Sequence, residues 1–260
     1  MLKKLVILFC LILFVCTGCG KKEETVNDLE TILGRGSLIV GVKTDTYPFG
    51  YTNAKGDYLG YDVELAKLIA KGLLGDENKV KFVPVSAYDR IMKLESNDVD
   101  MIIATMSVTP QRQEILDFST SYYTAGQALL VKKGSKIRSI KDLKDKRVII
   151  VFGSTSERSI REAVVNVGII GYKTYTEAYK ALKQGKGEAI VADDTILYGL
   201  AYKDKDVVLL PKRYSKEPYA VAFRKGKESK QLIKAVNEII ETEARNGTLK
   251  KIQKDLGIKG

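Results

Sequence analysis

Leu94-Glu-Ser-Asn-Asp-Val-Asp-Met-Ile-Ile-Ala-Thr105 and Leu182-Lys-Gln-Gly-Lys-Gly-Glu-Ala-Ile-Val-Ala-Asp193 align without a gap, and their pairing decides the fold. Each reads as a helix end, a polar turn, and an apolar strand that stops on a polar residue. Leu38-Ile-Val-Gly-Val-Lys43 echoes Val148-Ile-Ile-Val-Phe-Gly153 in the same way. Elsewhere short apolar strands alternate with helical patterns, which argues an α/β architecture with largely parallel sheets. Predicted strands cover Leu38 to Val42, Val80 to Val85, Val99 to Ala104, Arg147 to Phe152 and Glu188 to Ala192. Predicted helices cover Asp62 to Leu73, Ser156 to Val165, Thr195 to Tyr202 and Glu228 to Arg245, the last stopped by Asn246-Gly247. Ser86 with Asp89 reads as a capping box for one more helix. Ligands of open α/β sheets gather outside the carboxyl ends of strands. Lys43, Thr105, Ser154-Thr155 and Asp193 are four such ends, two per half, and are expected to face one cleft between two lobes.

Ala104-Thr-Met-Ser-Val-Thr-Pro-Gln-Arg112 continues from the first of these strands. Thr109 followed by Pro110 has the form of a helix N-cap and first helical residue, so Arg112 projects from the opening turn. Thr105, Ser107, free N–H groups and a guanidinium converging there would hold a small carboxylate. Gly153-Ser154-Thr155-Ser156-Glu157 also leaves a strand and opens a helix, where glycine permits close approach and Ser154, Thr155 and Ser156 supply hydroxyls. It is not a P-loop, because Gly-x-x-x-x-Gly-Lys-Ser/Thr is absent. Asp193 is an acceptor for an ammonium, and Lys43 and Arg90 are further cations in the first half. An Arg112 carboxylate site, an Asp193 ammonium site and two spare cations describe an α-amino acid with an acidic side chain.

Composition narrows the alternatives. The 260 residues are 45% hydrophobic, enough for one large domain or two modest ones. There is no histidine, and the three cysteines are Cys10, Cys16 and Cys19. That excludes Ser-His-Asp triads and His or Cys zinc sites, so no metal and no cofactor is expected. The formal charge of +11 is spread among acidic residues, with no aromatic interleaving, which speaks against nucleic-acid binding. Lys3 and Lys4 precede the apolar run Leu5 to Val15, a signal h-region too short to span a bilayer. The run ends in Cys16-Thr17-Gly18-Cys19, which resembles a bacterial lipobox, with Cys16 where leucine is usual. Residues 1–19 are then a signal peptide, and Cys19 is the lipidated first residue of an extracytoplasmic protein held to the cell membrane. Residues 20–30 are its tether.

From Leu38 to Ile252 the chain resembles the polar amino-acid family of bacterial extracellular solute-binding proteins, the receptors of ABC importers. The resemblance rests on Gly41-Val42-Lys43, Gly60-Tyr-Asp-Val-Glu-Leu-Ala66, Asp100-Met-Ile-Ile-Ala104, Thr109-Pro-Gln-Arg112, Asp117-Phe-Ser119, Tyr122-Tyr123, Gly153-Ser-Thr155, Glu217-Pro-Tyr219 and Asn246-Gly-Thr248. It implies the type II periplasmic-binding-protein-like fold, two lobes of mixed sheet and helices joined by two hinge crossings that close on a ligand. Mapped here, lobe one is residues 31–128 and 221–260 and lobe two residues 130–218, with crossings at Leu129 to Lys132 and Tyr219 to Phe223. The resemblance further implies that Arg112 binds the ligand carboxylate with Thr105, Ser107 and Thr155, and that Asp193 binds the ammonium. Thr44 to Phe49 would supply an aromatic cover, by Tyr47 or Phe49. Lys43, Arg90 and the insertion Leu74-Gly-Asp76 resemble the glutamate/aspartate subgroup, with glutamine the alternative ligand. The implied partners are the transmembrane subunits of a permease, and the protein is expected to be a monomer and not an enzyme. A dehydratase on the same scaffold would need a general acid in the cleft, where the sequence places only Asp193. Gln111 stands where the family usually has glutamate, and Asp255-Leu256-Gly257 replaces a Trp-Phe-like ending.

Overall fold

The computed structural model of the chain describes residues 27–258. The signal, Cys19 and residues 20–26 of the tether lie outside them, whereas residues 28–30, expected as tether, open the first helix behind the N-cap Asn27. In order, the elements of the first part are α1 (Asp28–Arg35), β1 (Leu38–Val42), β2 (Asp45–Thr46), β3 (Gly50–Thr52), β4 (Tyr58–Leu59), α2 (Tyr61–Leu74), β5 (Val80–Pro84), α3 (Arg90–Glu95), β6 (Met101–Ile102), α4 (Pro110–Ile115) and β7 (Leu116–Ala125). The second part holds β8 (Gln127–Lys132), β9 (Arg147–Val151), α5 (Ser156–Ala163), β10 (Gly168–Tyr172), α6 (Tyr175–Lys183), β11 (Ala189–Asp193), α7 (Asp194–Ala201) and β12 (Val207–Leu209). The chain then returns with β13 (Glu217–Arg224), α8 (Lys230–Arg245) and α9 (Thr248–Asp255).

Two five-stranded sheets result, ordered β5-β1-β6-β13-β7 and β10-β9-β11-β8-β12, with a small sheet β2-β3-β4 beside the first. They are mixed rather than largely parallel. One strand in each, β13 and β8, runs against both neighbours. The internal echo is architectural: β1 lies beside β6 and β9 beside β11, each pair parallel. Lys43 and Thr105 therefore leave one sheet at a common edge, and Gly153 and Asp193 leave the other.

Each sheet is covered by helices whose apolar stripes meet it. On α2, Val63, Ala66, Ile69 and Ala70 are buried against Val40, Val42, Val236 and Ile240, in a core that also takes Phe223. In the second lobe Ala178, Ala181 and Leu182 of α6 bury against Ile149, Ile190 and Leu130. The predicted helix at Asp62 to Leu73 is recovered within a residue at each end, and Gly75 closes it in the left-handed conformation. The predicted strand at Val99 to Ala104 shortens to Met101–Ile102, since only one residue of β13 pairs with it.

The crossings between lobes fall elsewhere than expected. The chain leaves the first sheet at Ala125 and enters the second at Gln127, so Leu129 to Lys132 is inside β8. It returns between Leu209 and Glu217, so Tyr219 to Phe223 is inside β13. Both apolar runs are strand interiors, and the turns beside them carry the crossings.

Candidate functional site

The cleft edge of the first lobe is built by α4, α3 and the end of β6. Thr109 Oγ1 accepts the Arg112 N–H at 3.2 Å, with Pro110 opening the helix. This cap fixes the turn from which the half-buried Arg112 projects. Its guanidinium donates to Ser107 O at 2.7 Å and, across the cleft, to Gly153 O at 2.9 Å. Arg90, 2% exposed, donates to Ala104 O at 2.7 Å, to Thr105 O at 3.4 Å and to the same Gly153 O at 3.3 Å. Thr105 has φ 46°, a left-handed conformation that disfavours threonine. Its N–H is held by Asp62 Oδ2 at 2.9 Å, and Asp62 Oδ1 accepts Tyr122 OH at 2.8 Å.

From the second lobe, Asp193 accepts Tyr219 OH at 2.6 Å and the side-chain amide of Gln127. The same amide donates to Thr155 Oγ1 at 3.2 Å, and Thr155 donates to Glu217 at 3.0 Å. Ser154 spends its hydroxyl on Val151 O at 2.6 Å, within its own turn. Ser156 is fully buried with Oγ unpartnered, as are Arg90 Nε and Gln127 Oε1. Unpaired buried polar atoms are costly, so their gathering around one cleft fits a site built to meet a polar ligand. Lys43 Nζ lies 4.8 Å from the centre of the Tyr175 ring, and Asp45 accepts the Tyr175 N–H at 3.2 Å; both contacts join the lobes.

Burial sets the electrostatics. It is the main cause that pushes the Asp193 carboxyl up to about 6, aided by Glu217 and opposed by the Tyr219 hydrogen bond. Burial also raises Asp62 to about 6, against its bonds from Tyr122 and Thr105. Lys43 is lowered to about 7 by burial first and Arg90 second, with Asp45, Asp193 and Asp62 pulling the other way. Arg112 is lowered to about 9 by burial and Arg90, with Asp193 and Glu217 opposing. Three cations and a matching set of carboxylates thus share one poorly solvated space.

Arg112, Asp193, Thr105, Ser107, Thr155, Ser156, Lys43 and Arg90 are brought together. Phe49 lies behind them: it is fully buried, edge-on to Tyr61, Tyr123 and Tyr219 at 5.6, 5.1 and 5.7 Å between ring centres, and Tyr219 is the donor to Asp193. From the same segment Tyr47 meets Tyr202 of the second lobe, ring centres 4.8 Å apart. Asp193 is not the only carboxylate near the cleft, since Asp62, Asp45 and Glu217 join it. Asp62, Tyr122, Glu217 and Tyr219 stood in the quoted motifs without a role. Gln127 and Tyr175 had no signal, because they arrive from strands and helices distant in sequence. Gln111 accepts a hydrogen bond from Arg158 across the cleft mouth.

Residues 38–257 match the family model described as bacterial extracellular solute-binding proteins, family 3. The chain is 40% identical over 258 residues to the ABC transporter glutamine-binding protein GlnH of Bacillus subtilis (strain 168), covering 96% of this chain and 94% of the relative. It is 42% identical over 222 residues to the glutamine-binding protein of Geobacillus stearothermophilus, covering 84% of each. In three dimensions it is similar to the solute receptor for L-cysteine of Neisseria gonorrhoeae, with a TM-score of 0.83, 31% identity, and 88% and 92% of the two chains covered.

Proposed function

The chain belongs to the bacterial extracellular solute-binding proteins of family 3, and from that premise we propose that it is the receptor of an amino-acid ABC importer whose ligand is L-glutamine. The observation that carries the reading is the opposition of Arg112 and Asp193 across a cleft, each feeling the other's charge in a poorly solvated space. Arg112 takes the α-carboxylate beside Thr105, Ser107 and Thr155. Asp193 takes the α-ammonium, held in position by Tyr219 and Gln127. Charge-assisted bonds contribute about 1.5–3 kcal/mol each. Three or four, less the cost of ordering, reach the ~8 kcal/mol of a micromolar ligand.

The expectation of an acidic side chain is replaced. It rested on Lys43 and Arg90 as spare cations. Arg90 instead spends its guanidinium on three carbonyls. Lys43 sits among Asp45, Asp62 and Asp193 with its charge weakened by burial. Asp45, Asp62 and Asp193 already surround Lys43, so a ligand side-chain carboxylate would add a further negative charge to a poorly solvated space. A neutral amide would not, and both sequence relatives are named for glutamine. Lys43 and Arg90 act here as the frame that holds the cleft closed.

Export, lipidation at Cys19 and delivery to permease subunits complete the reading, with the lobes closing as one monomeric jaw. The cleft carboxylates serve binding and closure in this reading: Asp193 takes the ammonium, Asp62 holds Thr105 and Tyr122, Glu217 holds Thr155 and Ser215, and Asp45 holds Tyr175. Calorimetry of refolded, dialysed protein with glutamine, glutamate, aspartate, cysteine and arginine tests it. Glutamine binding at least tenfold tighter than glutamate at pH 7.5 is expected. Equal or tighter glutamate would overturn the ligand assignment, and no heat from any of them would overturn the receptor reading. Release of the Cys19→Ala chain from membranes checks the anchor.

A further inference from the structure

No basic run in the sequence is longer than two residues between Lys132 and Arg147, yet the fold concentrates them. That segment carries eight basic residues and two acidic ones, against +11 for the entire chain. All eight are exposed, and none makes an ion pair among the described residues. Of the two acids, Asp142 stays exposed and accepts the N–H groups of Arg138 and Ser139, at 2.9 Å each. Strand β8 ends at Lys132 and β9 begins at Arg147, and the two run in opposite directions relative to β11. Both ends therefore meet at the edge of the second sheet remote from Gly153 and Asp193. An open hollow of about 400 Å³ lies there, lined by Lys132, Lys133, Lys136 and Lys146, with Gly185 and a single acid, Glu188.

We propose that this pole of the second lobe is an interaction surface for a linear, phosphate-bearing polyanion. Lysines on exposed turns, unpaired and evenly spread, suit repeating phosphates better than one small anion, which would need converging buried donors. The cleft is not involved, so amino-acid binding and this contact are independent.

The choice of occupant rests on the Cys19 anchor of the proposed function. Helix α1 starts beside Arg224 and Glu228, where Asp28 pairs with Arg224 at 2.9 Å. Arg224 ends β13 near Val99, the side of the first sheet remote from the cleft. The tether thus enters at one pole of the molecule and the basic surface lies at the other. Residues 20–27 reach at most about 28 Å when extended. Two five-residue strands end to end already span about 33 Å, before turns and cleft are added. The anchoring membrane is held at the wrong end, and a polymer beyond it is the occupant.

The test uses residues 20–260, which contain every described residue, and long-chain inorganic polyphosphate as probe. Binding is measured at 50 and 200 mM salt for the parent, for Lys132→Gln/Lys136→Gln/Lys146→Gln, and for the first-lobe control Lys234→Gln/Lys250→Gln/Lys251→Gln. Four phosphate contacts predict roughly fifty-fold weaker binding at the higher salt. At about fivefold per lysine, the pole variant loses about a hundredfold. The control changes less than fivefold, and glutamine affinity and melting temperature stay within error in both variants. Equal losses in the two variants would mean that total charge is responsible, and the proposal fails. It also fails if polyphosphate does not bind at 50 mM salt, or if orthophosphate at equal phosphate concentration displaces it. Vesicles with 30% phosphatidylglycerol binding as tightly as the polymer would assign the surface to a membrane instead.

Discussion

Gly153 is a point of backbone contact between the lobes, and replacing it by alanine should uncouple ligand binding from folding. A Cβ there would overlap the Ala87 carbonyl oxygen, lying 2.7 Å from its carbon and 3.0 Å from Tyr88 Cα. Backbone cannot yield as a flexible side chain does, so the lobes must part by about 1 Å before atoms reach ordinary contact. That withdraws the Gly153 carbonyl from Arg112, now 2.9 Å away, and from Arg90, at 3.3 Å. Bonds to charged donors contribute about 1.5–3 kcal/mol each, so losing one and stretching the other weakens the closed state by about 3 kcal/mol. Glutamine affinity should fall by about a hundredfold. Alanine at φ +76° also costs about 1–2 kcal/mol, in open and closed states alike. Gly134→Ala separates the two effects: its φ is +81° and nothing lies within 4 Å of the added carbon. It should lower the melting temperature and leave the dissociation constant unchanged. Calorimetry gives the affinities, and X-ray scattering with and without glutamine reads the closure. Should Gly153→Ala bind within threefold of the parent and still compact, the contact is not part of the ligand-bound state and the reasoning is wrong.

Arg112→Lys keeps the charge but loses the fork that meets Ser107 O and Gly153 O together; affinity should drop at least thirtyfold, about 2 kcal/mol, and recovery of more than half by calorimetry would contradict this. Asp193, raised to about 6 in the closed cleft, is the carboxylate proposed for the ammonium, so its proton would compete with the ligand at acid pH. Affinity should be weaker at pH 5 than at pH 7, and Asp193→Asn should bind weakly with that acid slope removed. Asp62→Asn leaves Lys43 and Arg90 buried with one counter-charge fewer and should cost about 3 kcal/mol, or roughly 6–12 °C in melting temperature by calorimetric scan.

The cleft was legible where chemistry is local. Thr109-Pro110 announces its own cap, and Arg112 must then leave the first turn. The echo between Leu94–Thr105 and Leu182–Asp193 located two strand ends because a buried strand and its polar terminus are written consecutively. Gln127, Tyr175 and the duty of Arg90 were not legible. Each depends on which carbonyl or carboxylate of the other lobe arrives opposite it, and no spacing within one segment encodes that. The hinge positions failed for a related reason: Leu129 to Lys132 and Tyr219 to Phe223 are apolar whether they cross between lobes or lie within a sheet. Strand pairing decides between the two, and β8 and β13 are the strands that run against their neighbours.

Charge balance also explains why closure should depend on ligand. Holding Asp193 ionised in the shut cleft costs up to about 3 kcal/mol, from a pKa moved by about two units. The closed state without ligand is thereby disfavoured as much as a hundredfold by this one group. An α-ammonium offsets the penalty directly, and a carboxylate on Arg112 does the same for the opposite sign. The zwitterion therefore stabilises the closed arrangement selectively, since in an open cleft water already solvates both side chains. A ligand shifts a conformational equilibrium only by its difference in affinity for the two states. That difference is stored here in two under-solvated charges facing each other from separate lobes. A third, negative ligand charge would join Asp45, Asp62 and Asp193 around Lys43, so it would add a penalty to the closed state where a side-chain amide adds none.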